Sequence, residues 1–275
     1  MLKTILEEYD SDKHRRSTLY ELSELLKYRD LLGLLISYGI RTRYKRSLLG
    51  VLWSFLNPLL TMGVLALAFS ALFKFSLLNY PIYLLSGLLI WNFFSQTTTA
   101  TMYSLSWGGT LLKRIYIPRS IFSISAIGSE LFNLIISLIP LFIIMLILGH
   151  PFTPALAFLP VAILSMAMFA LGMGLCISTL SVYFIDTIHI YQIVLMAWFY
   201  ITPIIYPADI IPESYAVYLK LNPMIFILEL FRSPIYLGII PGFKTILIAF
   251  SWSIFSLLFG WSIFSRKADK FAYRI

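Results

Sequence analysis

Groups able to do chemistry are few in this chain, and they are scattered. Of the acids, only Glu130 lies clearly inside a long apolar stretch; Glu229 falls in a shorter, broken one and Asp186 in a turn. His14, His150 and His189 stand far apart, so no spacing supports a metal site. There is no carboxylate pair placed for acid–base work and no defensible Ser/His/Asp set. A Gly-rich Walker loop is also missing, so the chain is not expected to hydrolyse ATP by itself. Glu130 is expected to be hydrogen-bonded within a helix bundle, with a proton-carrying role as the alternative. Cys176 is the single cysteine and reads as a small buried hydrophobe. These residues point away from an enzyme and away from a metal centre.

The noticeable charges are basic. Arg41, Arg43, Lys45 and Arg46 run directly into the apolar "SLLGVLWSFLNPLLTMG". The 275 residues are 59% hydrophobic and 12% charged, against roughly 45–50% and 25% in soluble domains. So few charges could not cover a soluble core of this size, and an all-α integral membrane protein is expected. Six stretches have membrane-spanning length: Leu52–Phe73, Pro81–Tyr103, Ile121–Leu148, Ala155–Val182, Ile188–Tyr206 and Ile246–Phe264. The first, third, fourth and sixth are clear. The second turns polar at "SQTTTATMYS", and the fifth is short and ends at "TPIIYP", so both are expected to face protein or a wet cavity.

Six spans put both termini on one side of the membrane. That side would then hold 17 Lys and Arg residues and the other only Lys74, Lys220, Arg232 and Lys244. The asymmetry predicts cytoplasmic termini and accounts for the four basic residues as an anchor at the anionic inner leaflet. This placement argues against a nucleic-acid partner. The first thirty residues mix acids and bases without an apolar core, so no cleavable signal is expected.

Residues 1–50 read as a cytoplasmic tail and an interface helix, and 51–275 as one six-span domain. Thr18 and Glu21 have capping-box spacing. Leu22, Leu25, Leu26 and Leu32 then gather near one face, giving an amphipathic helix in the cytoplasmic interface or one that binds a partner. Between the fifth and sixth spans, "MIFILELF" and "SPIYLGII" are too short to cross and read as two re-entrant helices. Between the second and third, Gly108-Gly109 is expected to break a helix before the short basic segment "TLLKRIY", with Pro118 resetting the chain. That segment is either a solvated turn or a knob for a cytoplasmic partner.

Pro58 is expected to free a backbone carbonyl and weaken the first span locally. Ala170, Gly174 and Ser178 are spaced for close helix packing, within a subunit or in a dimer. Phe69 and Phe73, with Trp198, Phe199 and Tyr200, are candidates to line a pathway among the 22 Phe and 17 Tyr.

Taken in order, "RYKRSLLGVLWSFLNPLLTM", "LLKRIYIPRSIF", "WFYITPIIYP" and "NPMIFILELFR" resemble the membrane permeases of ABC transporters that export O-antigen, capsule or teichoic acid. The resemblance runs from about Leu31 to the C-terminus. It implies a multi-pass homodimer in the cytoplasmic (inner) membrane that moves a polyprenyl-pyrophosphate-linked polysaccharide. It also implies a separate ABC subunit that binds ATP and Mg, leaving no cofactor in this chain. Coupling to that subunit would fall to Leu112, Lys113, Arg114, Ile115, Tyr116, Ile117, Pro118 and Arg119. Arg41, Arg43, Lys45 and Arg46 would meet the pyrophosphate at the entrance, and Trp53, Asn57, Phe69, Phe73, Trp198, Phe199 and Tyr200 would line the path. Members often carry Arg before the acid that follows the fourth span. Here that position is Ile185, so no role for Asp186 carries over. The rival readings are an exporter of small lipids or drugs and an ion-coupled carrier without an ATPase. The carrier would call for more intramembrane carboxylates or inverted repeats.

Overall fold

The computed structural model describes residues 27–45, 47, 49–73, 79–112, 118–212, 214 and 221–271. Eight α-helices organise them: α1 (Arg29–Tyr44), α2 (Leu52–Phe73), α3 (Tyr80–Leu112), α4 (Ser120–Ile147), α5 (Leu159–Tyr183), α6 (Thr187–Ile201), α7 (Pro223–Arg232) and α8 (Phe243–Phe271). Four described segments are long and apolar enough to cross a membrane: Leu52–Phe69, Ser120–Ile147, Pro154–Tyr183 and Phe243–Lys267. They coincide with the four clear spans of the sequence.

The polar run of α3 has a simple cause. This 33-residue helix lies at the centre, packed against α2, α4, α5 and α7. Ile82, Leu84, Leu85, Ile90 and Phe94 are fully buried, and so are Ser86, Thr97, Thr98 and Thr101. Thr98 Oγ1 donates to Phe94 O at 2.9 Å and Ser86 Oγ to Tyr83 O at 2.9 Å, so these two hydroxyls are satisfied inside the helix, whereas those of Thr97 and Thr101 are buried without a hydrogen-bond partner among the described residues. The helix also continues through Gly108 and Gly109 to Leu112, where the sequence predicts a break. Glycine costs about 1 kcal/mol in a helix interior and does not forbid it.

Around α3 the close approaches are made by small residues. A Cβ on Gly260 would lie 2.0 Å from Gly172 O, and one on Gly172 would lie 2.2 Å from the Ser256 backbone. Helices α5 and α8 therefore touch backbone to backbone, joined by Ser165 Oγ to Ser253 Oγ at 2.9 Å and Ser256 Oγ to Phe169 O at 3.1 Å. The spacing noted in the sequence is used within the subunit too: Gly174 faces Thr101 of α3. On the other flank, Gly39 of α1 meets Ser129 of α4 and Gly128 meets Ile36. The amphipathic helix is described from Arg29; Thr18 and Glu21 lie outside the described residues. Leu31, Leu32 and Leu35 pack on the cluster of Ile121, Phe122, Leu175, Trp261 and Phe264.

The fifth stretch differs from expectation. Helix α6 has only 15 residues and buries only Tyr191; Ile193, Met196 and Tyr200 are exposed. Its C-terminal end is what packs. Trp198 sets its ring edge-on to Trp91, Phe94 and Phe169, and its Nε1 donates to Asn222 Oδ1 at 2.9 Å. From Thr202 to Pro207 the chain is not helical, and donors from other elements take up its carbonyls. Arg232 Nη1 bonds Pro203 O at 2.8 Å and Nη2 bonds Ile204 O at 3.2 Å. The Tyr80 hydroxyl reaches Ile205 O, and that of Tyr83 reaches Tyr206 O, each at 2.9 Å. The Arg232 guanidinium also lies 3.7 Å from the Tyr83 ring centroid. Of the two short segments expected to re-enter, the first forms the helix α7, capped by Asn222 accepting from Met224 N at 3.0 Å. The second is a five-residue π turn, Ser233–Leu237, closed by left-handed Gly238.

Changing Gly260 to Ala is expected to destabilise the bundle by about 1–3 kcal/mol, the usual cost of overpacking. Gly63→Ala should instead hold or slightly raise the melting temperature, because nothing lies within 4 Å of its added Cβ and alanine is the better helix former by up to about 1 kcal/mol. Thermal shift of the detergent-purified variants measures both.

Candidate functional site

Pro58 sits inside α2, which runs on through it. Proline has no N–H, so the carbonyl four residues back, that of Ser54, loses its helical partner. In hydrocarbon that carbonyl needs a replacement donor. Helix α4 supplies it: Ser137 Oγ donates to Ser54 O at 3.1 Å.

Ser137 belongs to a polar stripe on α4. With Glu130 and Asn133 it occupies positions i, i+3 and i+7, one face of a helix. Asn133 Nδ2 donates to Glu130 Oε2 at 3.0 Å. The Tyr44 hydroxyl, at the end of α1, donates to Asn133 Oδ1 at 2.6 Å and also bonds Ser54 Oγ. Arg43, one residue earlier, sends Nη1 to Glu130 Oε2 at 2.8 Å and Nη2 to Gln96 Oε1 at 2.9 Å on α3. The Glu130 side chain is 7% exposed and that of Arg43 is 39% exposed. An inward carboxylate is thus met by a cation reaching in from α1, which satisfies the demand for pairing.

These groups line a cavity of ≈ 410 Å³ bounded by α1, α2, α3 and α4. Asn57, Asn92, Trp53 and Phe93 also face it, so it offers amides, hydroxyls and the aromatic rings of Tyr44, Trp53 and Phe93 together. Such a lining suits a hydroxylated ligand, with amides for hydrogen bonds and the indole for an apolar ring face.

The site residues read from the sequence fall into distinct places. Arg43, Trp53 and Asn57 meet at this cavity. Arg41 and Lys45 are exposed beside it, and Arg46 lies outside the described residues. Trp198 and Phe199 are half-buried against Trp91, Tyr200 is exposed on α6, and Phe69 packs partly buried against the main core. Phe73 and Leu112 are the last residues of α2 and α3. Lys113, Arg114, Ile115, Tyr116 and Ile117 lie outside the described residues. Pro118 is buried and Arg119 half-buried at the start of α4. Asp186 is exposed in the turn before α6, and its side chain makes no cap there. The sequence reading missed Tyr44, Ser54, Asn92, Gln96, Asn133 and Ser137. The signal that finds most of them is helical spacing of amides and hydroxyls, as in Glu130–Asn133–Ser137 and Asn92–Gln96.

Ser137→Ala should cost about 1 kcal/mol by leaving the Ser54 carbonyl without a donor. In a Pro58→Ala background, where the helix restores its own bond, the same change should cost much less. A double-mutant cycle followed by thermal unfolding in detergent reads the difference.

Comparison with known proteins rests on most of this architecture. Curated relatives include the O-antigen export system permease protein RfbA of Myxococcus xanthus, 31% identical over 92% of this chain and 98% of its own length. An RfbA of Klebsiella pneumoniae is 30% identical over 71% of this chain and 76% of its own. The capsule polysaccharide export inner-membrane protein CtrC of Neisseria meningitidis is 26% identical over 77% and 81%. The family model described as ABC-2 type transporter matches residues 30–236, from α1 through the π turn after α7. The polar cavity and the bundle that encloses it fall within that match, and the chain belongs to the ABC-2 type transporter family.

Proposed function

We propose that this chain is the permease subunit of an ATP-driven ABC exporter that carries a lipid-linked polysaccharide, O-antigen or a capsule-type polymer, across the cytoplasmic membrane. The observation that carries this reading is the near full-length likeness to a protein named as an O-antigen export permease. The chemistry of the cavity supports it: amides, hydroxyls and an indole lie beside a cation, which fits sugar next to phosphate.

In this reading six segments span the membrane. Helix α3 crosses as an interior helix with its polar residues covered. The 15-residue α6 crosses with the unwound segment after it, while α7 and the π turn re-enter from the outer side. Both termini are cytoplasmic. Two copies pair across the exposed faces of α2 and α6, where Leu60, Val64, Ile193 and Met196 leave apolar surface open. The export path runs between them, and Tyr200, Trp53 and Asn57 are the path residues most open to it. Phe69, Phe73, Trp198 and Phe199 contribute from behind. Arg41, Lys45 and Arg46 draw the pyrophosphate to the entrance with Arg43.

Free energy comes from a separate ABC subunit that binds ATP and Mg. Leu112–Arg119 docks on it and passes its motion to α3 and α4, which that segment joins. Co-purification of the tagged chain should bring down an ATPase in stoichiometric amount. Changing Lys113, Arg114 and Arg119 to Glu should remove most of it and abolish glycan export. Wild-type protein that purifies without an ATPase yet transports in liposomes would overturn the reading.

A further inference from the structure

The polar cavity has a neighbour. A second cavity of ≈ 500 Å³ lies under the interface helix, between α1, α3 and α4, and the two share Arg43, Glu130 and Asn133 as a common wall. Both fall in the roughly 300–1,000 Å³ range of small-molecule sites.

The second cavity is lined differently. Leu35, Ala100, Tyr103, Phe122 and Ala126 supply apolar surface. The Ser and Thr hydroxyls in its wall donate to backbone: Thr42 to Tyr38 O, Ser104 to Thr101 O, Ser125 to Phe122 O and Ser129 to Ser125 O, at 2.8–3.0 Å. With those donors spent on backbone, apolar surface predominates in this wall away from Arg43, Glu130 and Asn133. In the first cavity, by contrast, the amides of Asn57 and Asn92 and the Trp53 indole are presented to the space.

An apolar chamber and a polar chamber thus meet at one cation, and that cation is held by a carboxylate. We infer that the paired cavities form one binding site for an amphiphile with a phosphate at its middle: lipid chain under the interface helix, hydroxylated head among the amides, and phosphate on Arg43. The Arg43–Glu130 ion pair is the partition between the chambers. A phosphate takes the Arg43 guanidinium by a bidentate bond in place of Glu130. Glu130 keeps its bond from Asn133, so its carboxylate is not left bare. Two sources share this chemistry, a polyprenyl-linked glycan and a bulk anionic phospholipid. The inference commits to the first, and to that extent rests on the export reading.

The opposed roles of the two partners make a test. In the full complex in nanodiscs, with Cys176→Ser, single cysteines are placed at Ala126 in the apolar chamber and Asn92 in the polar one. Maleimide labelling is followed as polyprenyl pyrophosphate bearing one N-acetylhexosamine is added, with equal phosphatidylglycerol and free polyprenol as separate arms. The glycolipid should protect both positions, and polyprenol should protect neither. Arg43→Ala should raise the half-protecting concentration about tenfold, the loss of one charge-assisted bond. Glu130→Gln should lower it, because the cation is released from its competitor. A pair with only a structural role would weaken protection in both variants, and that result overturns the inference. Equal protection by phosphatidylglycerol overturns it in favour of a bilayer lipid, and no protection by any arm removes the site. ATP-dependent export is measured in the same preparations. Export without protection discards the inference and keeps the proposed function, whereas no export by the wild type discards the proposed function.

Discussion

A peptide carbonyl inside hydrocarbon has no water to accept from, and much of this fold follows from meeting that demand. Where the chain departs from plain helix, a donor arrives from another element. Pro58 releases the Ser54 carbonyl, and Ser137 on α4 takes it. After α6 unwinds at Thr202, Arg232, Tyr80 and Tyr83 take the carbonyls of residues 203–206. These bonds do more than satisfy backbone. They tie α2 to α4, and they tie the end of α6 to α3 and α7, so each irregular point becomes a joint between helices.

The same demand governs charge. A carboxylate at 7% exposure is tolerated because Arg43 and Asn133 donate to it. Arg43 can do so because Gly39 and Gly128 let α1 lie close along α4. Helix α1 is therefore held by polar bonds as well as by its leucines. A helix held that way can be released by a competing anion, which a purely apolar seam cannot offer.

The apolar surface left on α2 and α6 has a complementary meaning. Exposed side chains such as Leu67 and Ile193 are normal against lipid, where no hydrophobic drive separates lipid contact from protein contact. The close approaches, backbone to backbone at Gly172–Gly260 and backbone to side chain at Gly39–Ser129, lie inside the subunit instead. The subunit thus has tight seams built on small residues within and broad greasy faces without.

Much of this was legible in the residues alone. Hydrocarbon thickness sets a minimum apolar length, so the four clear spans could be read from Leu52, Ile121, Ala155 and Ile246 onward. The lone carboxylate Glu130 had to have partners, and Pro58 had to free a carbonyl, because both costs are local. The identity of the partners was not legible. Arg43 and Glu130 are 87 positions apart, and Ser54 and Ser137 are 83 apart. The helix break expected at Gly108-Gly109 did not occur, since propensity is worth only about 1 kcal/mol per glycine. The covered polar run of α3 and the open flank of α6 are equally matters of packing. Sequence determined what each segment required of its surroundings, because solvation costs belong to single residues. Tertiary structure alone decided which side chain met each requirement, because that depends on which helix faces lie within hydrogen-bonding distance.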